Sequence, residues 1–169
     1  MMTKRKIFEK IITGGQTGAA LGALDAALEL GHPCGGWCPK GRKSEAGPIP
    51  AKYPVQELDS ADYRVRNKQN VINSDGTMIF TYGKPTGGTS LTFNIAIKHE
   101  KPLYVCDLED DPLNKDIDFI WEWGLESDVY VLNVAGPRES KHPNTQVLVK
   151  TVMFMLLEHA RKSYPVVQA

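Results

Sequence analysis

Apolar residues recur along the chain in short runs that alternate with amphipathic segments. Residues 7–13 are rich in isoleucine and predict a strand, and residues 18–30 place leucine and alanine at helical spacing. Gly31 and Pro33 end that helix, because glycine suits a left-handed cap and proline cannot continue a helix. The chain therefore opens with a strand, a turn and a helix.

The same order of elements repeats along the rest of the chain. The further predicted strands are residues 34–37, 76–82, 102–107 and 128–134, and the further predicted helices are residues 60–73, 89–99, 113–123 and 145–162. Asp59 or Ser60 is expected to cap the helix at residues 60–73. Alternating strands and helices imply right-handed crossovers. We expect a single Rossmann-like domain, a three-layer α/β/α fold with a mainly parallel sheet of about five strands.

Composition narrows the classes of function. The formal net charge is zero and 41% of the residues are hydrophobic, so neither disorder nor a long-range field for nucleic acid is indicated. No apolar run approaches the roughly 18 residues of a membrane span. The cysteines, Cys34, Cys38 and Cys106, form no even framework, which favours a reducing, cytoplasmic setting. Because the net charge is zero, any site that binds an anion must depend on local positive groups.

Glycine-rich loops follow three of the predicted strands, and in an open parallel sheet ligands bind at these carboxyl ends. Glycine lets backbone amides approach a ligand, and each following helix adds the positive end of its dipole. The candidate ligand-binding residues are Gly14, Gly15, Gln16, Thr17 and Gly18 in the first loop (residues 14–18), Thr86, Gly87, Gly88, Thr89 and Ser90 in and after the second loop (residues 83–89), and Gly136, Arg138 and Ser140 in the third loop (residues 135–143). This pattern predicts a site for a phosphate-bearing, nucleotide-like ligand.

The loops do not match the common nucleotide-binding motifs. The first loop lacks the glycine spacing of G-x-G-x-x-G, and the second has Gly88 and Thr89 where a Walker A loop requires Gly-Lys-Ser/Thr. Each loop taken alone could be a plain turn, but three such loops at strand ends of one small sheet favour a binding site.

Basic residues in the long loop at residues 38–53 extend the candidate site. Lys40, Arg42 and Lys43 could fold over a bound phosphate as a clamp, with a solvated surface turn as the equal alternative. We include Lys40 and Arg42 among the candidate ligand-binding residues. Arg138 is a stronger candidate, because its glycine-bearing loop precedes a helix.

Residues typical of metal or covalent chemistry are sparse. Cys34 and Cys38 are separated by three residues, which is not the spacing of a zinc knuckle, so no metal site is predicted. No G-x-S-x-G signature occurs, and no catalytic residue is assigned. Asp107 is a candidate contact for a ribose or pterin group, or else a simple loop carboxylate, and His142 lies nearest the proposed site.

Longer runs resemble those of the putative molybdenum carrier family. These runs are residues 11–18, 23–28, 35–42, 47–50, 86–89 and 132–140. The family is similar to the wider lysine-decarboxylase-like group of Rossmann proteins, some of which cleave nucleoside monophosphates while others only bind nucleotide derivatives. The resemblance implies a homo-oligomeric carrier whose ligand is molybdenum cofactor (molybdopterin) or a nucleotide.

Two departures from the related patterns bear on catalysis. Ala19, Ala20 and Leu21 stand where the family typically continues Val-Asp-Arg, and Thr92 stands where the phosphoribohydrolase relatives carry a glutamate. Threonine cannot serve as a carboxylate acid or base. The leading hypothesis is therefore a non-catalytic carrier, and the alternative is a nucleotide hydrolase that cleaves an N-glycosidic bond.

Overall fold

A five-stranded parallel sheet forms the centre of the computed structural model. The structure describes the backbone of residues 4–110 and 112–164 and the side chains of residues 4–110 and 116–164. The strands are β1 (Lys10–Ile12), β2 (Cys34–Gly35), β3 (Trp37–Cys38), β4 (Lys43–Ser44), β5 (Gly47–Pro48), β6 (Gln56–Glu57), β7 (Gly76–Thr81), β8 (Leu103–Asp107) and β9 (Val131–Ala135). The order in the central sheet is β2-β1-β9-β7-β8, and all its neighbouring pairs are parallel.

Helices cover the sheet. They are α1 (Ala19–Glu29), α2 (Tyr63–Ile72), α3 (Gly87–Lys98), α4 (Pro112–Glu126) and α5 (Thr145–Ser163). Right-handed crossovers place α1, α4 and α5 on one face and α2 with α3 on the other, in agreement with the packing of α5 against α1 and α4 and of α2 against α3. The predicted three-layer α/β fold is confirmed. None of the described helices is both long and apolar enough to cross a bilayer.

Close packing of α1 against α5 fixes the first loop relative to the third. The buried face of α1 is built from small residues, and a Cβ atom at Gly22 would lie 2.5 Å from the carbonyl oxygen of Gln146. Large apolar side chains of α5, including Met153 and Leu157, fill the space between this helix and the sheet. Because α1 follows the first loop and α5 follows the third, this contact holds both loops at one edge of the sheet.

Strand β1 is shorter than predicted. Ile7 and Phe8 are buried, as their apolar character suggests, but they form a turn in which Phe8 has a φ of 57° and its N–H donates to the carbonyl of Val129 at 2.9 Å. Apolar character alone does not distinguish a strand from a buried turn.

The predicted strand at residues 34–37 divides at Gly36. Its φ is 122°, and a Cβ atom there would lie 2.0 Å from the carbonyl oxygen of Thr13. Only β2 joins the central sheet, whereas β3 pairs with β6. The following segment, predicted to be a loop at residues 38–53, contains the antiparallel hairpin β4–β5.

Helices α2 and α3 begin three and two residues away from their predicted starts, at residues 60 and 89. Asp62 caps α2 by accepting a hydrogen bond from the N–H of Arg64 at 2.9 Å, so neither Asp59 nor Ser60 is the cap. Helix α3 begins at Gly87, not at Thr89, and its first turn therefore contains two glycines of the second loop.

Candidate functional site

The carboxyl ends of β1, β9 and β7 lie side by side, and the loops that follow them border one open cleft. It is lined by Gly14, Gln16, Ala20, Arg66, Asn67, Asn70, Thr86, Gly88, Thr89, Thr92, residues 133–138 and Lys141. The three predicted glycine-rich loops thus contribute to a common surface, where the topology of a parallel sheet favours ligand binding.

The second loop presents the open N-terminus of α3 to this cleft. Thr86 is the N-cap, and its side chain makes no capping hydrogen bond; instead its hydroxyl accepts a hydrogen bond from Lys141. A Cβ atom at Gly88 would meet nothing within 4 Å. The first amides of a helix point outward at the positive end of its dipole, so this turn offers uncovered donors to an anion.

Arg66 extends from α2 into the cleft and is 7% exposed. Its guanidinium donates to the carbonyl of Gly14 at 3.0 Å and to the side-chain oxygen of Asn67 at 2.6 Å. Within the described part of the chain, no carboxylate lies within 4 Å of it. Burial lowers the pKa of Arg66 to about 10, which leaves it charged at neutral pH. A buried cation without a counter-ion is costly, and a bound anion would offset that cost.

Three cations surround the ring of Tyr63 at the start of α2. The side-chain nitrogen of Lys43 lies 4.5 Å from the ring centroid, and the guanidinium carbons of Arg66 and Arg138 lie 4.9 and 5.8 Å from it. The electron-rich face of an aromatic ring attracts cations at such distances. The ring therefore helps to gather positive charge at the cleft, although the chain has no net charge.

Glu45, in the turn of the β4–β5 hairpin, lies among residues predicted to bind the ligand. Its carboxylate accepts hydrogen bonds from the N–H and hydroxyl of Ser140, at 3.1 and 2.5 Å, and from the hydroxyl of Thr17. The guanidinium of Arg138 lies 3.8 Å away. Burial alone would raise the pKa of Glu45, but these hydrogen bonds and the charge of Arg138 outweigh it and lower the pKa.

Gln16 carries a buried donor without a partner. Its side-chain oxygen accepts hydrogen bonds from the N–H groups of Thr17 and Glu45, both at 3.0 Å, which fixes the orientation of the amide. Its side-chain nitrogen is buried and has no hydrogen-bond partner among the described residues. An orphaned donor beside a cleft suits an acceptor supplied by a ligand.

A family model described as the circularly permutated YpsA SLOG family matches residues 11–157. The chain belongs to this family. It is also similar to a solved structure, the crystal structure of the putative molybdenum carrier protein from Syntrophus aciditrophicus SB, with 38% sequence identity and a TM-score of 0.87 over 91% of this chain and 98% of that chain. The predicted resemblance to molybdenum carriers is confirmed. A comparison with curated proteins finds no significant match.

In this family member the predicted site residues fall into three groups. Those that line the cleft are Gly14, Gln16, Thr86, Gly88, Thr89, Gly136 and Arg138. Those that belong to the same loops and helix without lining it are Gly15, Thr17, Gly18, Gly87, Ser90 and Ser140. Lys40 and Arg42 lie outside the lining altogether.

The predicted basic clamp is not what the structure shows. The guanidinium of Arg42 donates to the carbonyls of Ile49, Pro50, Tyr53 and Val55 at 2.9 to 3.0 Å, so four of its N–H donors are already engaged by nearby backbone. Lys40 has an exposed side chain away from the cleft. The long loop brings an acid, Glu45, to the rim, and of the predicted clamp only Lys43 lies nearby, at the ring of Tyr63.

Asp107 and His142 also have local partners. The carboxylate of Asp107 accepts hydrogen bonds from the N–H groups of Gly83 and Glu109, at 3.0 and 2.9 Å, and thereby braces the second loop instead of lining the cleft. The ring of His142 stacks on that of Tyr82, with centroids 4.2 Å apart. This pair borders a second pocket that shares Lys141 with the main cleft.

Sequence reasoning missed the contribution of α2. Arg66 and Asn70 are buried, and they stand four residues apart, so they share one face of the helix. Asn70 accepts a hydrogen bond from the N–H of Trp37 and donates to its carbonyl, both at 2.9 Å. A helix that covers a sheet with polar residues at helical spacing is the signal that could have indicated a polar cleft beneath it.

The lining of the cleft suits binding of an anion. Over the described residues it consists of backbone groups, amides, hydroxyls, small apolar side chains and three cations, Arg66, Arg138 and Lys141. Thr92 donates from its hydroxyl to the carbonyl of Gly88 at 3.1 Å. These groups can hold and orient a charged ligand.

Proposed function

We propose that the cleft binds the phosphate of a nucleotide-like or pterin ligand and that the protein is a carrier, with molybdenum cofactor as the candidate cargo. The observation that supports this most directly is Arg66, a buried cation with no counter-ion in the described part of the chain, beside the open N-terminus of α3. A phosphate there would accept hydrogen bonds from the first amides of α3 and compensate the charge of Arg66.

The ring system of the ligand would lie beside the phosphate. The stacked rings of Tyr82 and His142 border the adjoining pocket, and Lys141 contributes to both pockets. Flat heteroaromatic groups pack favourably on aromatic side chains. The same arrangement therefore accommodates a purine or a pterin next to the phosphate site.

Two observations favour carriage of the ligand over its hydrolysis. By the resemblance to the phosphoribohydrolases, Thr92 stands where they carry a glutamate, and Asp107 is engaged in bracing the second loop. The solved structure similar to this chain is described as a putative molybdenum carrier protein. Molybdenum cofactor combines a pterin with a phosphate, the two features for which the cleft and its adjoining pocket are suited.

Titration calorimetry with matched ligand pairs tests the proposal. AMP and GMP, each compared with its nucleoside, and molybdopterin are titrated into the protein and into Arg66→Met. We expect binding to require the phosphate and to weaken at least about tenfold in Arg66→Met, since a charge-assisted phosphate contact contributes roughly 1.5–3 kcal/mol.

Arg64→Met is the matched control. Arg64 lies on the same helix, but its side chain is 77% exposed and pairs with Asp62 at 2.9 Å outside the cleft. It should leave the affinity unchanged. Equal affinities for nucleotide and nucleoside, or an equal effect of the two substitutions, would contradict the proposed phosphate site, and release of free base during the titration would favour the hydrolase instead.

A further inference from the structure

Glu45 occupies a set of donors that is typical of a phosphate site. The donors are one backbone N–H and one hydroxyl of Ser140, the hydroxyl of Thr17 and, at 3.8 Å, the guanidinium of Arg138. These groups come from loops that follow two adjacent parallel strands, β1 and β9. Among the described residues, the anionic partner that these donors share is a carboxylate that the β4–β5 hairpin inserts from outside the sheet.

We propose that Thr17, Ser140 and Arg138 form a second anion subsite, which the carboxylate of Glu45 fills in this structure, and that the ligand carries two anionic groups. This inference rests on the proposed function, since the first anionic group is the phosphate bound by Arg66 and α3. The second group displaces Glu45 and takes over its hydrogen bonds.

Arg138 connects the two subsites. It lines the main cleft together with Arg66, and both guanidiniums face the ring of Tyr63. Repulsion from Arg138 contributes to lowering the pKa of Arg66, after the larger effect of burial, so the two charges are close enough to interact. Two neighbouring cations that reach the same cleft are better neutralised by two negative charges than by one.

Lys43 adds a third cation on the hairpin itself. Its nitrogen lies 4.5 Å from the centroid of the Tyr63 ring, two residues before Glu45. Withdrawal of Glu45 would leave Lys43, Arg66 and Arg138 around one ring without the carboxylate that now lies 3.8 Å from Arg138. The charge distribution therefore favours an incoming anion in the place of Glu45.

The hairpin is suited to release Glu45. Each of its strands has two residues, and two-stranded hairpins of this kind are marginally stable on their own. Glu45 and Ala46 form the turn, and both residues are exposed overall although the Glu45 side chain is only 19% exposed. Opening this turn disturbs none of the five central strands.

The test compares inorganic phosphate with inorganic pyrophosphate by titration calorimetry, in the wild-type protein and in Glu45→Gln. Glutamine keeps the size of the side chain but removes the competing charge. We expect the ratio of pyrophosphate to phosphate affinity to rise about tenfold in Glu45→Gln. Adding Ser140→Ala to that variant should reverse most of the gain, because the substitution removes the hydroxyl donor.

Glu57→Gln is the matched control, because Glu57 also accepts a backbone hydrogen bond, from Gly41 at 2.6 Å, whereas the contacts with Thr17, Ser140 and Arg138 belong to Glu45. Thermal unfolding verifies that each variant is folded. Should Glu45→Gln fail to fold, Glu45→Asp gives the same test, because its shorter side chain cannot maintain all the hydrogen bonds, and we expect a severalfold rise in the ratio.

The outcomes separate the two proposals. Phosphate binding with an affinity ratio that Glu45→Gln leaves unchanged or lowers would overturn the second subsite and leave the proposed function intact. Absence of binding of either anion to the wild-type protein and to every variant would overturn both. An equal rise in Glu57→Gln would assign the effect to net charge and also overturn the second subsite.

Discussion

The first and second glycine-rich loops look alike in sequence but differ in what surrounds their glycines. In the first loop, an added Cβ atom would lie 2.3 Å from the side chain of Arg66 at Gly14 and 2.3 Å from the carbonyl oxygen of Pro137 at Gly18. In the second, Gly88 has nothing within 4 Å and Gly87 has only Lys141, at 3.7 Å. Gly14 and Gly18 of the first loop make room for other parts of the protein, whereas Gly87 and Gly88 of the second loop border open space among the described residues.

Gly18→Ala should give the largest effect. The residue has a φ of 82°, and its Cβ atom would overlap backbone atoms of the third loop, which cannot rotate away as a side chain can. We expect a loss of at least about 3 kcal/mol in the free energy of unfolding, from positive-φ strain plus overpacking. Urea denaturation measures it, and a loss below about 1 kcal/mol would show that the first loop is not tightly packed.

Tyr53→Phe tests the packing around the first loop at a second point. Tyr53 belongs to the small apolar cluster with Ile49, and its hydroxyl donates to the carboxylate of Asp25 at 2.6 Å. We expect the free energy of unfolding to fall by about 1.5 kcal/mol, as for other hydrogen bonds to charged groups. Tyr104→Phe should cost less, because its hydroxyl lies 3.4 Å from Asp116; equal losses in urea denaturation would contradict the assignment.

Gly88→Ala should separate stability from binding. Alanine is favoured over glycine inside a helix and meets no neighbour here, so we expect a gain of up to about 1 kcal/mol in the free energy of unfolding. The methyl group would stand where the ligand approaches α3, and the affinity for phosphate should fall severalfold by calorimetry. Gly87→Ala, with a φ of 56°, should instead lower stability. Unchanged affinity in Gly88→Ala would mean that the second loop faces solvent, not ligand.

The smallest effect is expected from the titration of Glu45. The pKa of Glu45 in the folded protein is below the ordinary value of 4.5. The ionised carboxylate therefore stabilises the fold at pH values above 4.5, and this contribution disappears as the pH falls through the lower pKa of the folded protein. The difference in unfolding free energy between wild type and Glu45→Gln should therefore be largest near neutral pH and shrink in acid. In a Ser140→Ala background, the effect of Glu45→Gln on the unfolding free energy should depend less on pH. A difference between wild type and Glu45→Gln that does not change with pH would contradict this account.

The sequence predicted four strands of the central sheet well, because β1, β7, β8 and β9 are apolar runs, each with a helical pattern as the next predicted element. It could not predict that the second strand divides at Gly36, since the contact responsible is with the carbonyl of Thr13 on another strand. Local patterns identify elements, but a break caused by a residue 23 positions away is visible only after folding.

The glycines in the sequence indicated which loops border the cleft. The sequence did not indicate the residues whose placement depends on partners distant in the chain. Arg66 is buried because Gly14, 52 residues earlier, leaves space for it. Arg42 was assigned to the ligand because its sequence neighbours are basic, yet four nearby backbone carbonyls engage its guanidinium. Charge in a sequence indicates what a residue can bind, and the fold determines what it does bind.

The central position of β9 has a consequence for the order of events during synthesis. The pairs β1–β2 and β7–β8 are joined to each other in the sheet only through β9, the last strand along the described chain. Until residues 131–135 leave the ribosome, β1 and β7 each expose an unpaired edge, which invites association between nascent chains. The third loop follows β9 and lines the cleft, so the cleft also assembles only after β9 has emerged.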